Sequence, residues 1–307
     1  MSDNELLNVE LSRSTFLKAS AGIAASLFLS ELIDQKSAIG LSMEEFSKVP
    51  SWSQDFSKMP NGQPDPKYWN YITGNIVPGY NDQAQTYTSS PSNIRIENGV
   101  LILEAKLQNK DNRQYTSSEI ETQGKFGFVH GKLEASIRLP KGIGTWPAAW
   151  LLPTNPKWNP KKYGLTGPAA NWELNGEIDI METVGFESPR VYPGIHTESN
   201  FSKKASKPFN ITVPNDTTEF HTYGVEKTAD SIVFTLDGQP KRRIVKTSNN
   251  PEDWPFEQEY YLIFDLALGG QWGSIDKKQF PETDGIDNSK SPWLMEVKNI
   301  SFYDQVN

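Results

Sequence analysis

The strongest constraint on the fold is a two-residue period. Leu133, Ala135, Ile137 and Leu139 alternate with Lys132, Glu134, Ser136 and Arg138, so an extended chain here puts its apolar side chains on one face and its polar ones on the other. Ile94 and Ile96 lead through Glu97-Asn98-Gly99 into Val100 to Leu103, which predicts a hairpin closed at Asn-Gly. Ile232, Phe234 and Leu236 run into Asp237-Gly238 in the same way. Tyr260 to Leu268 is apolar on both faces except at Asp265, the pattern of a central strand covered on both sides. A last strand is expected over Glu296 to Tyr303. No helix of ten or more residues is expected after position 45. Many short strands separated by turn signals specify an all-β antiparallel sandwich or barrel. Pro50 to Asp82, rich in Pro, Gly, Asn and Asp, reads as an irregular lead-in.

The first 40 of the 307 residues follow a different pattern. Ser12-Arg13-Ser14-Thr15-Phe16-Leu17-Lys18 precedes a mildly apolar stretch, Ala19 to Leu29. This resembles a twin-arginine export signal with Ser14 in place of the second arginine. Asp3, Glu5 and Glu10 make the early residues acidic, unlike an ordinary secretory signal, and Lys36 spoils a cut after Ala38. Residues 1–40 are therefore expected to be an export signal or N-terminal anchor, and 41–307 one folded domain, secreted or held at the cell surface. No apolar run approaches the roughly 18 residues of a membrane span.

Charge and residue inventory narrow the chemistry. Thirty basic against 38 acidic side chains give a net charge of −8, which repels phosphate backbones and argues against nucleic acid as a partner. The absence of cysteine excludes disulfides, zinc–thiolate sites and cysteine nucleophiles. Three histidines, His130, His196 and His221, are too few for a multi-histidine metal centre. Chemistry here must rest on carboxylates.

Gly176-Glu177-Ile178-Asp179-Ile180-Met181-Glu182 places three acids within six residues, separated by apolar ones. In a regular strand Glu177 and Asp179 share a face, and Glu182 points to the other. One extra residue in a β-bulge near Ile180–Met181 restores the parity. Four effective steps of ~3.3 Å then separate the glutamate Cα atoms by roughly 13 Å. Side chains leaning inward by ~4 Å bring the carboxyls to about 5–6 Å, the spacing of a retaining glycosidase pair. Two carboxylates ~5.5 Å apart repel by about 3 kcal/mol at an effective dielectric of ~20, enough to keep a proton on one of them near neutral pH. From these residues alone three readings stand: a catalytic pair, a solvated acidic face, or a calcium or magnesium site.

Wider motifs favour the first. Glu-Ile-Asp-Ile-Met-Glu resembles the E-x-D-x-x-E signature of family 16 glycoside hydrolases, in the bulged form of the laminarinase-like branch. Asn81 to Thr88 (NDQAQTYT) resembles the family's N-x-E-x-Q-x-Y-T, and Gly124 to Pro153 resembles its long block ending G-T-W-P-A-x-W. His196-Thr197 follows the acids, and Phe264 to Gly273 (FDLALGGQWG) resembles N-L-A-x-G-G-x-W. The resemblance covers roughly residues 50–306. It implies a jelly-roll β-sandwich of two antiparallel sheets with a concave cleft, retaining hydrolysis of a β-linked polysaccharide, and no cofactor. Carried over by position, it implies nucleophile Glu177, supporting Asp179, acid/base Glu182 and a contact from His196. Asn81, Trp146, Trp150, Trp172, Gln271 and Trp272 are then the expected sugar contacts, each indole stacking on a pyranose while its N–H bonds a hydroxyl. Trp52, Trp69, Trp158, Trp254 and Trp293 are expected in the core or in loops, and His130 and His221 in structural roles.

Several positions depart from the family pattern. Gln83 replaces a usual glutamate, Glu119 stands where many members carry a substrate-binding arginine, and Lys227 follows Glu226 where tryptophan is usual. Lys298 occupies the place of an aspartate that serves a structural calcium site, so that metal is not expected, although Asp55 remains available to a variant site. The expected activity is an endo-acting glucanase on β-1,3- or mixed β-1,3/1,4-glucan. The same chemistry on agarose, carrageenan or a β-galactan, transglycosylation, and a non-catalytic β-glucan-binding protein are the alternatives. A monomer is the default expectation.

Overall fold

A computed structural model describes residues 45–75, 81–163, 170–202, 209–274, 280–283 and 285–306. The expected export segment, residues 1–40, lies outside the described residues. Two large sheets enclose the core. The smaller runs Gly194–His196, Glu177–Glu182, Thr145–Pro153, Tyr260–Leu268, Glu119–Glu121 and Asn70–Ile72, in that order, with every neighbour antiparallel. The larger has Gly131–Arg138 and Trp293–Tyr303 at its centre. Its one parallel pairing among the described residues joins Gln85–Tyr87 to Arg113–Ser117.

The alternation in the sequence becomes the alternation of the sheet. Gly131–Arg138 is buried at every second residue, and Leu133, Ala135 and Ile137 meet Leu262, Phe264 and Leu266 of the opposite sheet in one apolar core. On its outer face Lys132 pairs with Glu134 at 2.8 Å, and Arg138 holds Glu296 through two hydrogen bonds. Both predicted hairpins form. Asn98 and Gly99 (φ 52° and 79°), like Asp237 and Gly238 (φ 52° and 71°), take the two positive angles of a type I′ turn, which follows the right-handed twist of the strands. The described helices are short, six residues at most. None is long and apolar enough to cross a membrane.

Two expectations need correction. The lead-in is not all irregular: Trp52–Asp55 pairs with the last strand, and Asn70–Ile72 forms an edge of the smaller sheet. Strands of three or four residues between prolines show little periodicity, and aromatic packing fixes them instead. Trp52 stacks on Phe126 with centroids 3.9 Å apart, and Trp69 is buried against Phe264. The last strand starts at Trp293, three residues early, because that side chain is itself buried in the core.

Lys227 is fully buried. Its ammonium donates to the carbonyls of Val129 and Gln258 and lies 5.2 Å from the Tyr260 ring centroid. Burial lowers its pKa to about 7 from the ordinary 10.5. Between those values the unfolded chain binds the additional proton, so this group makes stability rise with pH across that window. We predict that the melting temperature of the wild type gains on that of Lys227→Met as pH is raised from 7 to 9. Parallel curves for the two proteins would show that the lysine keeps an ordinary pKa in the fold.

Candidate active site

The chain enters the acidic strand from the short helix Ala170–Asn175 through Gly176 (φ 79°), where a Cβ would come within 2.5 Å of Pro255. Only glycine meets both demands. The strand then breaks its own register. Met181 sits opposite Ala149 and Asp179 opposite Trp150, which leaves Ile180 as an extra residue. Ile178, Ile180 and Met181 all enter the core, while Glu177, Asp179 and Glu182 all line one cavity of about 290 Å³ on the open face of the smaller sheet. The predicted bulge is present, and it does what parity requires.

Each acid has a fixed neighbour. Trp172 Nε1 donates to Glu177 Oε2 at 2.6 Å, and Trp146 Nε1 to Glu182 Oε2 at 3.2 Å. His196, directly opposite Glu177 across the strands, brings Nε2 to 3.0 Å from Asp179 Oδ2 and 3.8 Å from Glu177 Oε1. A fourth acid, Asp265, accepts from Trp150 Nε1 at 2.9 Å and from the Tyr87 hydroxyl at 3.0 Å. The indole N–H groups of Trp146, Trp150 and Trp172 are therefore engaged by carboxylates. That corrects the expectation that they serve sugar hydroxyls. A buried carboxylate left without a donor costs more than a hydroxyl that retains water.

Burial dominates the electrostatics. It pushes Glu177 up to about 8, with the Asp179 charge adding to the shift and His196 and the Trp172 hydrogen bond opposing it. Glu182 is driven well above the ordinary carboxylate range, by burial first and Asp179 second. Asp179 and Asp265 each rise to about 7, again through burial. The expected repulsion between Glu177 and Glu182 is present, but it is the smallest contribution to Glu182. The low-dielectric wall of the sandwich is the larger cause.

Asn81, Trp146, Trp150 and Trp172 line the cavity with the acids. Trp272 stands behind Trp146, edge-on with centroids 5.5 Å apart, and also meets Tyr192. Gln271 has an exposed side chain, and its backbone N–H holds the Asn81 carbonyl at 2.8 Å. Asn81 itself has a φ of 53°. Sequence reasoning gave no role to Tyr87 or Asp265. A single acid inside nine otherwise apolar residues was the available signal for Asp265; Tyr87 reads as one more strand aromatic. His221 is buried against Asp237 at 2.9 Å, and Trp69, Trp254 and Trp293 are buried core. Among the described residues, the group of acids and histidine near enough to share an ion is Glu177, Asp179 and His196. Lys298 is exposed, and Asp55 is bound by Ser57 and Lys58.

The model for glycosyl hydrolases family 16 matches residues 81–280. The chain belongs to that family. A β-glucanase of Rhodothermus marinus is 37% identical over 260 residues, covering 79% of this chain and 87% of that protein. A glucan endo-1,3-β-glucosidase of Cryptopygus antarcticus is 30% identical over 253 residues, covering 76% and 87%. The solved laminarinase of Rhodothermus marinus superposes with a TM-score of 0.74 at 33% identity, covering 86% of this chain and all of that one. The sandwich is the family 16 jelly roll, and the protein is a glycoside hydrolase.

Replacing Trp172 by phenylalanine keeps a ring beside His196 and deletes the N–H that stabilises the Glu177 anion. A hydrogen bond to a charged group is worth about 1.5–3 kcal/mol, so the Glu177 pKa should rise by roughly one to two units in Trp172→Phe. Carbon-13 titration of labelled glutamate measures it, and an unchanged midpoint would mean that the 2.6 Å contact carries no stabilisation.

Proposed function

We propose that the protein is an exported endo-β-glucanase that hydrolyses β-1,3- or mixed β-1,3/1,4-glucan with retention of anomeric configuration. The observation that carries this reading is the extra residue at Ile180, which turns Glu177 and Glu182 toward the same cavity. Glu177 attacks the anomeric carbon while Glu182 gives its proton to the leaving oxygen. A covalent glycosyl ester forms on Glu177 and the C–O bond to the leaving sugar breaks. Glu182, now a carboxylate, removes a proton from water, which displaces the ester and returns Glu177.

The local environment supports this order of roles. Glu182 is driven well above the ordinary carboxylate range, chiefly by burial, as an acid that must hold its proton requires. Glu177 has the Trp172 donor and the nearby His196 to favour its anion. Asp179 lies between them, with His196 at 3.0 Å, and adjusts where the shared protons sit. The three cavity tryptophans have rings fixed by their N–H bonds, which suits them to stack on pyranose faces. The similar glucanases and the laminarinase support a glucan substrate. The acidic cavity disfavours sulfated or uronic polymers. Both glutamates are present, so nothing favours a purely binding role. Export rests on the Ser12–Lys18 motif and suits an enzyme whose substrate is a large extracellular polymer. The enzyme is read as a monomer that needs no metal, since Lys298 stands where a calcium ligand belongs.

Glu177→Gln should lose at least a thousandfold in turnover while still binding glucan, because it removes the attacking oxygen at constant volume. Azide added to Glu177→Ala should restore cleavage and yield a glycosyl azide of inverted configuration. A glycosyl azide of inverted configuration from Glu182→Ala instead would exchange the two roles. Dialysis against EDTA should leave both activity and melting temperature unchanged; a fall of several degrees would reveal a structural cation.

A further inference from the structure

A row of acids crosses the floor of the cleft. The strand register sets Glu182 opposite Ala148, Ala148 opposite Asp265, Asp265 opposite Glu119, and Glu119 opposite Ile72. Directly opposed residues of antiparallel strands share a face, and all five line the cavity. Glu119 lies three strand spacings from Glu182, about 14 Å at ~4.8 Å each. That is well beyond the reacting pair, in a cavity that Asn81 and Gln83 also line.

The two carboxyls of this cross-strand pair are in different states. Asp265 has an oxygen bonded to Trp150 and the other to Tyr87. Glu119 is half-buried, and its carboxyl makes no hydrogen bond or ion pair with a described residue. Burial pushes it well above the usual range, followed by the charges of Asp265 and Glu121. The groups facing it are these two acids and the hydroxyls of Tyr87 and Tyr261, whose own pKa values are raised in part by the Glu119 charge. Lys125 acts on Glu121, and no cation acts on Glu119. Trp150 contributes only its neutral N–H, and Asn70–Ile72 brings no charge. The surroundings of the pair are thus acidic or neutral, with no compensating cation. The Glu119 carboxyl offers the cleft its unengaged oxygens, a match for the hydroxyls of a neutral sugar. It offers no counter-charge to an anion.

We propose that Glu119, set against Asp265, is a specificity-determining contact that binds the hydroxyls of an uncharged sugar away from the cleaved bond and excludes a sugar carrying a carboxylate or sulfate. The proposal rests on the glucanase reading and goes beyond it by assigning the charge preference to one side chain.

The test compares the full chain with its Glu119→Gln, Glu119→Lys and Glu119→Ser variants. The substrates are a neutral β-1,3-glucan and the same glucan with part of its primary hydroxyls oxidised to carboxylates. The wild type should favour the neutral polymer in kcat/KM by at least tenfold. Glu119→Lys should narrow that ratio by tenfold or more while raising KM on the neutral polymer several-fold. Glu119→Gln keeps an acceptor oxygen at the same reach, and should hold KM on the neutral polymer within threefold of the wild type. Glu119→Ser, too short to reach the sugar, should raise that KM several-fold with a smaller change in kcat. Equal ratios for the wild type and a folded Glu119→Lys would overturn the proposal, as would an unchanged KM in Glu119→Ser. A wild type inert on the neutral glucan would instead remove the glucanase reading beneath it.

Discussion

The architecture of the site depends on one conflict, between the two-residue period of a strand and the need to point three acids the same way. Glu177 and Glu182 are five residues apart, and a regular strand would drive one of them into the apolar core. Ile180, inserted without a partner opposite Thr145–Pro153, resolves the conflict. The insertion costs a rung of the ladder, and the core offsets part of that cost by taking in both Ile180 and Met181. The same step that repairs the packing aligns the carboxyls.

Alignment alone does not make a hydrolase, because one of the acids must also hold a proton that water would remove. The sandwich supplies this through burial. The aromatic residues that wall the cleft exclude solvent and donate N–H or O–H groups to the carboxylates: Trp172 to Glu177, Trp146 to Glu182, Trp150 and Tyr87 to Asp265. These bonds limit how far each pKa rises and hold the rings in place. One set of side chains thus sets proton affinity and shapes the surface on which a sugar would lie.

Much of this was legible before any coordinates. Hairpins at Asn98-Gly99 and Asp237-Gly238, the alternating strand around Leu133 and the bulged acidic strand all follow from local pattern, because turn chemistry and face parity are local properties. The pairing of His196 with Asp179 was not readable as geometry, since it depends on the register between two strands joined through residues 183–193, which no local pattern fixes; only the family resemblance pointed to it. Asp265 was visible as an anomaly in an apolar strand without a reason, and its partners Tyr87 and Trp150 lie 178 and 115 residues away. The short edge strands at Trp52 and Asn70 were hidden for another cause. Their places are fixed by aromatic packing against other strands, which no window of their own sequence reveals.

The central claim is that an inserted residue sets two carboxyls close enough for one to attack while the other protonates. Proton NMR of the first products released from a β-glucan tests it most directly. Close carboxyls predict that the β-anomer of the new reducing end appears first and the α-anomer only later, by mutarotation. Initial release of the α-anomer would mean that a water stands between the two acids, and would contradict the account.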